Sequence, residues 1–574
     1  MLATSFLIGC GGSDSGSDNN SGSSSNFTSS SSTAPNSNAA SSISSISLSL
    51  CAPAGNTVSI SGTVQYERVP LSSLFGNGLD YGNIQTLPVR GAVIQALGDG
   101  NCVIAESNTS DTGAYTFDVE QNTDVKIRVQ AKTMSTGAAI WDFEVKDNTS
   151  NNGLYVLDGS LTTSGITNST RDLTAKTGWG GSSYTSSRSS APFAILDSVY
   201  KSLMTIVAVD SDVNMDDADI FWSVNNSTAS GDKSKGEIGT SYYTNDTLYI
   251  LGDENSDTDE FDEHVVVHEW GHYFEDNLSR SDSIGGSHGG GDLLDMRVAL
   301  GEGFGNAFSG MVTGDSVYED SYGNGQSTSF GFDVDKNINT NPGWFSEGSV
   351  QSILYDIFDS ANDGDDVVSL GFSAIYETMT SSDYKNQASL TSIFSLINTI
   401  KTLNSGSTTD IDTLVTAQTS SGVLGIDTIA DNYGTGESHQ GYTGVYVANT
   451  PIYKTIADDG NITEVCSHNT SQEHNGLGVR QFLRLNVASA GNHTITVIYS
   501  RGEISSGESS PNSSLYLDSH YFGSTSNKTL TQINIQGQPL LADEYILEIY
   551  DYKNIDGDSS TGGSVCFNVT VTGS

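Results

Sequence analysis

The sequence predicts a multidomain protein in which an α+β domain lies between two all-β domains. Apolar and polar residues alternate in the segments before residue 180 and after residue 450, whereas the segment between them has apolar residues at helical spacing. The chain has 574 residues, and at about 150 residues per domain this length favours three or four domains. Apolar residues make up 36% of the chain, with 62 glycines besides, so the chain can bury a sizeable core.

The charge balance limits the classes of partner. Lys and Arg total 23 and Asp and Glu total 69, which gives a net charge of −46. A nucleic-acid-binding protein needs clustered Lys and Arg to neutralise phosphates, and attraction to anionic lipids also depends on basic segments. The sequence therefore predicts no nucleic-acid partner and no electrostatic binding to a membrane.

The N-terminal fifty residues divide into a short apolar segment, 1–10, and a segment rich in Ser, Gly and Asn, 11–50. Leu7-Ile8-Gly9-Cys10 resembles the bacterial lipobox, in which the cysteine is lipidated after a signal peptide is removed. The resemblance implies lipidation of Cys10 and a protein anchored by lipid to a bacterial envelope, at the outer membrane or cell surface. Segment 11–50 has too few apolar residues to offset the entropy of ordering, so we expect a disordered tether. No apolar run is long enough to predict a transmembrane helix.

Residues 51–184 alternate between apolar and polar side chains and contain regularly placed turn residues, which predicts a β-sandwich. The phrases SISGTVQY, VRGAVIQAL and TSDTGAYTFDV resemble carboxypeptidase-regulatory-like modules, which implies a spacer or a binding domain. Residues 448–574 alternate again, for example in Phe482–Val487 and Tyr545–Tyr550. They predict a second β-sandwich, similar to domains that follow secreted bacterial peptidases.

Four cysteines remain besides Cys10. An even number in an exported chain favours two disulfides, for which three pairings exist. Pairing within each β-domain predicts Cys51–Cys102 and Cys466–Cys566. No CxxC sequence is present, which argues against a cysteine zinc site.

The middle segment, 185–447, has helical spacing in several stretches and one clear strand at 247–252, which predicts an α+β domain. The predicted helices are 191–204, 262–280, 292–313, 347–359, 370–381 and 388–403.

The helix predicted at 262–280 carries the motif with the clearest chemistry. It contains His268-Glu269-Trp-Gly-His272, an HExxH sequence. Residues i and i+4 share one face of a helix, so both imidazoles can bind one metal ion. Zinc is the metal expected for two imidazoles, and a catalytic zinc has three protein ligands and an open position. Glu269, next to the first ligand, is then the general base that activates the metal-bound water.

Three residues compete for the third ligand position. His264 lies about 12 Å along the helix from His272, so a straight helix cannot bring both to the ion together with His268, and we interpret His264 as a packing residue. A metzincin would have a histidine six positions after His272, where this chain has Leu278. His288 stays open as an alternative ligand. Glu302 is favoured, because a carboxylate within an apolar helix needs a compensating charge.

The order of an HExxH helix followed by LGEGFGNAFSG, which contains Glu302, resembles the gluzincin metallopeptidases, in particular thermolysin-like and fungalysin-like enzymes. The resemblance implies a zincin-like peptidase core at 185–447 and zinc ligands His268, His272 and Glu302. It also implies an endopeptidase that acts on peptides or proteins.

Two positions depart from the thermolysin-like pattern. Those enzymes have an Asp four residues after the ligand Glu, which orients a zinc-binding histidine, and this chain has Asn306 there. Asn306 can still accept a hydrogen bond from an imidazole, without the negative charge. They also place a histidine before a later helix to stabilise the oxyanion, and Trp344 stands at that position here. Tyr355, His288 and Tyr273 are then the candidate oxyanion donors.

Acidic segments at 253–263, 333–339 and 363–366 leave structural calcium ions open as a further cofactor. The second segment begins like an EF-hand loop but has Ile338 where a glycine is required.

The function predicted from the sequence is zinc-dependent hydrolysis of peptide bonds by a lipid-anchored envelope protein. The alternative is a surface adhesion or binding lipoprotein with a degenerate zincin domain, which Asn306 and the absent histidine favour. A zinc hydrolase acting on another bond is a third hypothesis, because HExxH specifies the metal and not the substrate.

Overall fold

The structure is a computed structural model that describes residues 55–336, 341–360, 367–419, 429–437, 451–468, 474–501, 511–517, 520–526, 533–534, 540–551 and 564–573. The predictions for Cys10, the tether and the acidic segment 363–366 lie outside these residues. Cys51 also lies outside them, so the Cys51–Cys102 pairing stays a prediction.

Eight helices occur in the described part of the chain: α1 (Ala191–Val209), α2 (Glu263–Asn277), α3 (Met296–Thr313), α4 (Glu347–Phe358), α5 (Gly371–Thr380), α6 (Ser382–Lys385), α7 (Ile393–Leu403) and α8 (Thr408–Thr419). The strands before α2 are β1 (Thr57–Arg68), β2 (Gln85–Pro88), β3 (Ala92–Leu97), β4 (Val103–Asn108), β5 (Ala114–Glu120), β6 (Asp124–Thr136), β7 (Ile140–Asp147), β8 (Gly153–Leu154), β9 (Val156–Asp158), β10 (Thr162–Thr163), β11 (Ser169–Thr170), β12 (Leu173–Ala175), β13 (Ala218–Trp222), β14 (Tyr242–Thr244), β15 (Thr247–Ile250), β16 (Gly252–Asp253) and β17 (Asp257–Thr258). The later strands are β18 (Val317–Tyr322), β19 (Thr328–Asp333), β20 (Tyr453–Ala457), β21 (Thr463–His468), β22 (Arg480–Asn486), β23 (His493–Arg501), β24 (Pro511–Leu517), β25 (His520–Ser526), β26 (Ile533–Asn534), β27 (Glu544–Asp551) and β28 (Ser564–Gly573).

The N-terminal strands form two sheets that share a core. In one sheet β1 pairs with β2, β5, β11 and β12, and the other has the order β14-β15-β13-β7-β6-β3-β4. Strands β1 and β6 alternate between buried and half-buried residues, as expected when one face of a strand covers a core. The alternation of the sequence therefore predicted these strands correctly.

The second sheet crosses the domain boundary expected at residue 184. β7 pairs in parallel with β13, and β13 pairs in parallel with β15. One hydrophobic core includes residues of both sheets and of α1 to α5 and α7. The N-terminal strands and the helical segment are thus one folded unit, in place of a separate β-sandwich and peptidase domain. Alternation shows which face of a strand is buried, but it does not show which strand is its neighbour.

Helix α1 is the one described helix whose length and composition would allow it to cross a membrane, and 61% of its most apolar window is buried inside the protein. It packs on the sheets at β1, β6 and β7 and against α2. We interpret α1 as a core helix.

The C-terminal strands form two further sheets, β20-β22-β27-β24-β25 and β21-β28-β23-β26, around their own apolar core. The predicted disulfide Cys466–Cys566 is present and joins β21 to β28. A buried ion network attaches this unit to the start of α3: Glu548 on β27 accepts hydrogen bonds from Arg297 and Arg480, and Arg297 also pairs with Asp295.

Candidate metal centre

Helices α2 and α3 bring the three predicted ligands together. His268 and His272 lie one turn apart on α2, and their Nε2 atoms are 3.1 Å apart. Glu302, in the first half of α3, places Oε2 at 3.3 Å from Nε2 of His268 and 3.6 Å from Nε2 of His272. The three side chains are nearly or fully buried, with exposed fractions of 1%, 8% and 1% for His268, His272 and Glu302.

Glycines allow the two helices to approach this closely. A Cβ atom built on Gly271 of α2 would lie 3.3 Å from Cα of Gly305 on α3, and one built on Gly305 would lie 2.9 Å from the His268 ring. Larger residues at these positions would separate the helices or displace the imidazole. Aromatic rings of both helices pack around this crossing: Trp270, Phe274, Phe304 and Phe308.

Hydrogen bonds to the far nitrogens fix the orientation of both imidazoles. Nδ1 of His268 lies 2.8 Å from Oδ1 of Asn306, and Nδ1 of His272 lies 3.1 Å from Oε2 of Glu275. The amide nitrogen of Asn306 donates to Oε1 of Gln351, which turns the Asn306 oxygen towards His268. Because both partners are acceptors, each Nδ1 donates a hydrogen bond, and the two Nε2 atoms face each other.

Two imidazole nitrogens and a carboxylate oxygen that face one another at these distances fit a cation. Ligands arranged tetrahedrally at about 2.0–2.1 Å from zinc lie about 3.3 Å from one another. The three separations of 3.1, 3.3 and 3.6 Å match that spacing. Neither carboxylate oxygen of Glu302 has a hydrogen-bond partner among the described residues. His268, His272 and Glu302 therefore fit a zinc ion.

The electrostatics of the site agree with this fit. Burial alone would lower the pKa of His272, but the carboxylates of Glu302, Glu275 and Glu269 raise it well above its usual value. All three glutamates are almost completely buried. A divalent cation would balance this concentration of negative charge, which burial makes costly.

His288, which the sequence left open as a ligand or an oxyanion donor, lies beside the cluster. Its Nε2 is 3.1 Å from Oε2 of Glu347 and 3.6 Å from Oε2 of Glu302, while Nδ1 donates to the carbonyl of Gly286. Burial opposes the charged form, but Glu302 and Glu347 together raise the pKa of His288 to about 10. The imidazole of His288 thus lies between the carboxylates of Glu302 and Glu347.

The other two oxyanion donors proposed from the sequence are placed elsewhere. The hydroxyl of Tyr273 donates to the carbonyl of Asp216 at 2.6 Å, on the side of α2 that faces the sheet. The ring of Tyr355 packs at Gly310, near the far end of α3 and about 12 Å along the helix from the ligand glutamate. Spacing along the sequence could not show the direction of either side chain, and only His288 of the three lies at the cluster.

His264 and Trp344 lie away from the ligands. Nε2 of His264 contacts the carbonyl of Asp315 and the hydroxyl of Thr313, as suits a packing residue. The indole nitrogen of Trp344 donates to Glu437 in a buried position.

Three residues of the site were not predicted from the sequence. Glu275 is three residues after His272 on the same helix, and that spacing was a signal available in the sequence. Glu347 and Gln351 belong to α4, which packs on α3, and no local pattern marks them.

The family described as the mycolysin C-terminal domain matches residues 222–409, about a third of the chain. The matched segment contains α2 and α3 with all three candidate ligands. It supports a thermolysin-like metallopeptidase context and indicates a protease that acts with a metal on peptide or protein substrates.

No curated protein matches this chain. Several solved structures align with parts of it, among them these two. One is the pre-peptidase C-terminal domain of collagenase from Bacillus anthracis, with 20% identity over 21% of this chain and 94% of that chain and a TM-score of 0.15. The other is PliG from Aeromonas hydrophila, a periplasmic inhibitor of g-type lysozyme, with 12% identity over 21% of this chain and 96% of that chain and a TM-score of 0.14. At these TM-scores neither likeness bears on the activity of this chain.

Proposed function

We propose that this protein is a zinc-dependent endopeptidase in which His268, His272 and Glu302 bind the ion. The observation that carries the proposal is the convergence of the three ligand atoms, with both imidazoles held so that Nε2 faces the ion. The match to the mycolysin C-terminal domain favours a peptide bond over other substrates of a zinc hydrolase.

Bound zinc would supply a Lewis acid that polarises the scissile carbonyl and increases the acidity of water. Glu269 then accepts the proton of the attacking water and transfers it to the nitrogen of the leaving amine. Asn306 and Glu275 are positioning residues, because they hold the two imidazoles by Nδ1. The imidazole of His288, with Nε2 3.6 Å from Oε2 of Glu302, is the candidate donor to the carbonyl oxygen on which negative charge develops.

Replacement of Glu269 tests this mechanism. We expect the purified protein to contain one zinc per chain and to cleave a casein-derived peptide. Glu269→Gln should retain zinc and lose about 100- to 10,000-fold in kcat/KM, the range expected when a general base is removed. Asp276→Asn is the matched control, because Asp276 is on the same helix and exposed, and it should keep full activity. Cleavage at the normal rate by Glu269→Gln, or a purified protein that binds no zinc, would contradict the proposal.

The proposal includes a location at the bacterial envelope, supported by the sequence Leu7-Ile8-Gly9-Cys10. Lipid on Cys10 would hold the enzyme at the membrane. Because the chain has few basic residues, we expect no additional electrostatic attraction to anionic lipid. Cells grown with a fatty-acid probe should label the protein. The label should disappear in Cys10→Ala, which keeps its peptidase activity, and a label that persists in this variant would refute lipidation at Cys10.

A further inference from the structure

A short segment of the C-terminal unit, residues 474–477, pairs with the end of the connection between α2 and α3. The backbone N–H of Asp295 donates to the carbonyl of Asn475 at 2.7 Å, and the backbone N–H of Leu477 donates to the carbonyl of Leu293 at 2.8 Å. These two bonds form an antiparallel bridge between the units. The C-terminal unit therefore fixes the backbone that leads into α3.

The side chain of Asn475 also binds the part of the connection that contains His288. Its Nδ2 atom donates to the carbonyl of Ser287 at 3.2 Å, and Asn475 is completely buried. The ring of His474 packs directly on Gly286, where it leaves no room for a Cβ atom. One residue of the C-terminal unit thus holds the connection both before and after His288.

The position of His288 depends on such contacts because its own segment is permissive. Residues 289–291 are all glycine, and glycine imposes little restriction on the backbone. The imidazole nevertheless lies beside the candidate metal centre, with Nε2 at 3.6 Å from Oε2 of Glu302 and 3.1 Å from Oε2 of Glu347. A further hold comes from Asn341, whose Nδ2 donates to the carbonyl of Gly291 at 2.7 Å.

We propose that Asn475 is a positioning residue for the peptidase reaction and that the C-terminal unit takes part in catalysis through it. By binding the carbonyl of Ser287, Asn475 keeps the imidazole of His288 where negative charge develops on the substrate carbonyl oxygen. This role rests on the proposed function, because it needs a peptide bond at the metal. Positioning matters most in the transition state, so its loss lowers kcat more than it raises KM.

Kinetics of the full-length, zinc-loaded protein on a casein-derived peptide test the proposal. Asn475→Ala should lower kcat about 10- to 100-fold, since a displacement of about 1 Å can cost about 100-fold. KM should change by no more than about threefold, and the zinc content should equal that of the wild type. Asn486→Ala is the matched control at an exposed position on β22 of the same unit, and it should keep the wild-type kcat. If Asn475→Ala does not fold, Asn475→Ser replaces it.

A double-mutant cycle separates positioning from a general structural effect. In the His288→Ala background, Asn475→Ala should lower kcat by no more than about twofold, because the group that it positions is absent. An equal loss in both backgrounds would overturn the proposal, since Asn475 would then act through another part of the molecule.

Hydrogen–deuterium exchange gives a readout that does not require activity. In the Glu269→Gln protein, amides of residues 284–292 should exchange about tenfold faster or more when Asn475→Ala is added, whereas those of α2 and α3 should be unchanged. Wild-type kcat together with unchanged exchange in the Asn475 variant would also overturn the proposal. A wild-type protein that cleaves no peptide would instead refute the proposed function, and faster exchange would then still show that Asn475 holds the segment.

Discussion

The hydrogen bond between Asn306 and His268 gives the sharpest test of how the proposed zinc ligands are held. The Asn306→Ala variant leaves Nδ1–H of His268 without an acceptor in a position that is 1% exposed. An unsatisfied buried donor costs about 1–3 kcal/mol, which corresponds to roughly a 5- to 150-fold loss in zinc affinity. Partners of metal-bound histidines generally contribute about 10- to 100-fold, in agreement with this range. Asn306→Asp restores the acceptor and adds a negative charge, so this variant should bind zinc at least as tightly as the wild type.

Zinc affinity can be measured by competition with a chromophoric chelator at fixed pH, alongside kcat/KM on a casein-derived peptide. Ser309→Ala is the control, because the Ser309 hydroxyl donates to the backbone carbonyl of Asn306 and not to its side chain or to the ligands. This variant should leave zinc affinity unchanged. If Asn306→Ala binds zinc within twofold of the wild type, the bond does not hold the ligand. If Asn306→Asp binds more weakly than Asn306→Ala, the argument from charge and acceptor is wrong.

Two further outcomes follow from the packing and the charges. Gly305→Ala should lose zinc affinity about 10-fold or more, because its methyl group would lie 2.9 Å from the His268 ring. Gly310→Ala on the same helix is the matched control, because its methyl group would lie 2.9 Å from the Tyr355 ring, away from the ligands, and this variant should bind zinc more tightly than Gly305→Ala in the same competition assay. Burial would raise the pKa of Glu548, but two buried guanidiniums lower it to about 2, so its contribution to stability is present above pH 4.5 and disappears as the pH falls towards 2. The loss in the free energy of unfolding is on the order of 3 kcal/mol. Unfolding midpoints measured between pH 5 and 2 should therefore fall less steeply for Glu548→Gln than for the wild type, and equal slopes would contradict this.

The sequence was sufficient to predict the two helices that carry the candidate ligands, because the patterns that mark these residues are local. The spacing of His268 and His272 needs only the helical period, and Glu302 is marked by its apolar surroundings, which leave a carboxylate without another partner. The structure places these three residues together. Helices α4 and α5 were also predicted close to their observed bounds, α7 begins five residues later than predicted, and α6 and α8 were not predicted.

The parts that were not predicted depend on long-range packing. The parallel pairing of β7 with β13 joins segments about 75 residues apart, and alternation in either strand contains no information about it. Glu347 reaches His288 from a third helix for the same reason. Residue 273 follows His272 directly in the sequence, but successive residues on a helix point in different directions. The hydroxyl of Tyr273 therefore faces the sheet and not the cluster.

The position of the C-terminal unit explains how a glycine-rich segment can hold His288 in place. Segment 278–295 joins α2 to α3, and Leu294 forms a bridge with Gly476 of the C-terminal unit. The side chain of Asn475 donates to the carbonyl of Ser287, the residue before His288. The C-terminal unit therefore contacts the segment on both sides of His288, and the ion network at the start of α3 fixes the same surface. We therefore interpret this β-rich unit as a support for the candidate metal centre.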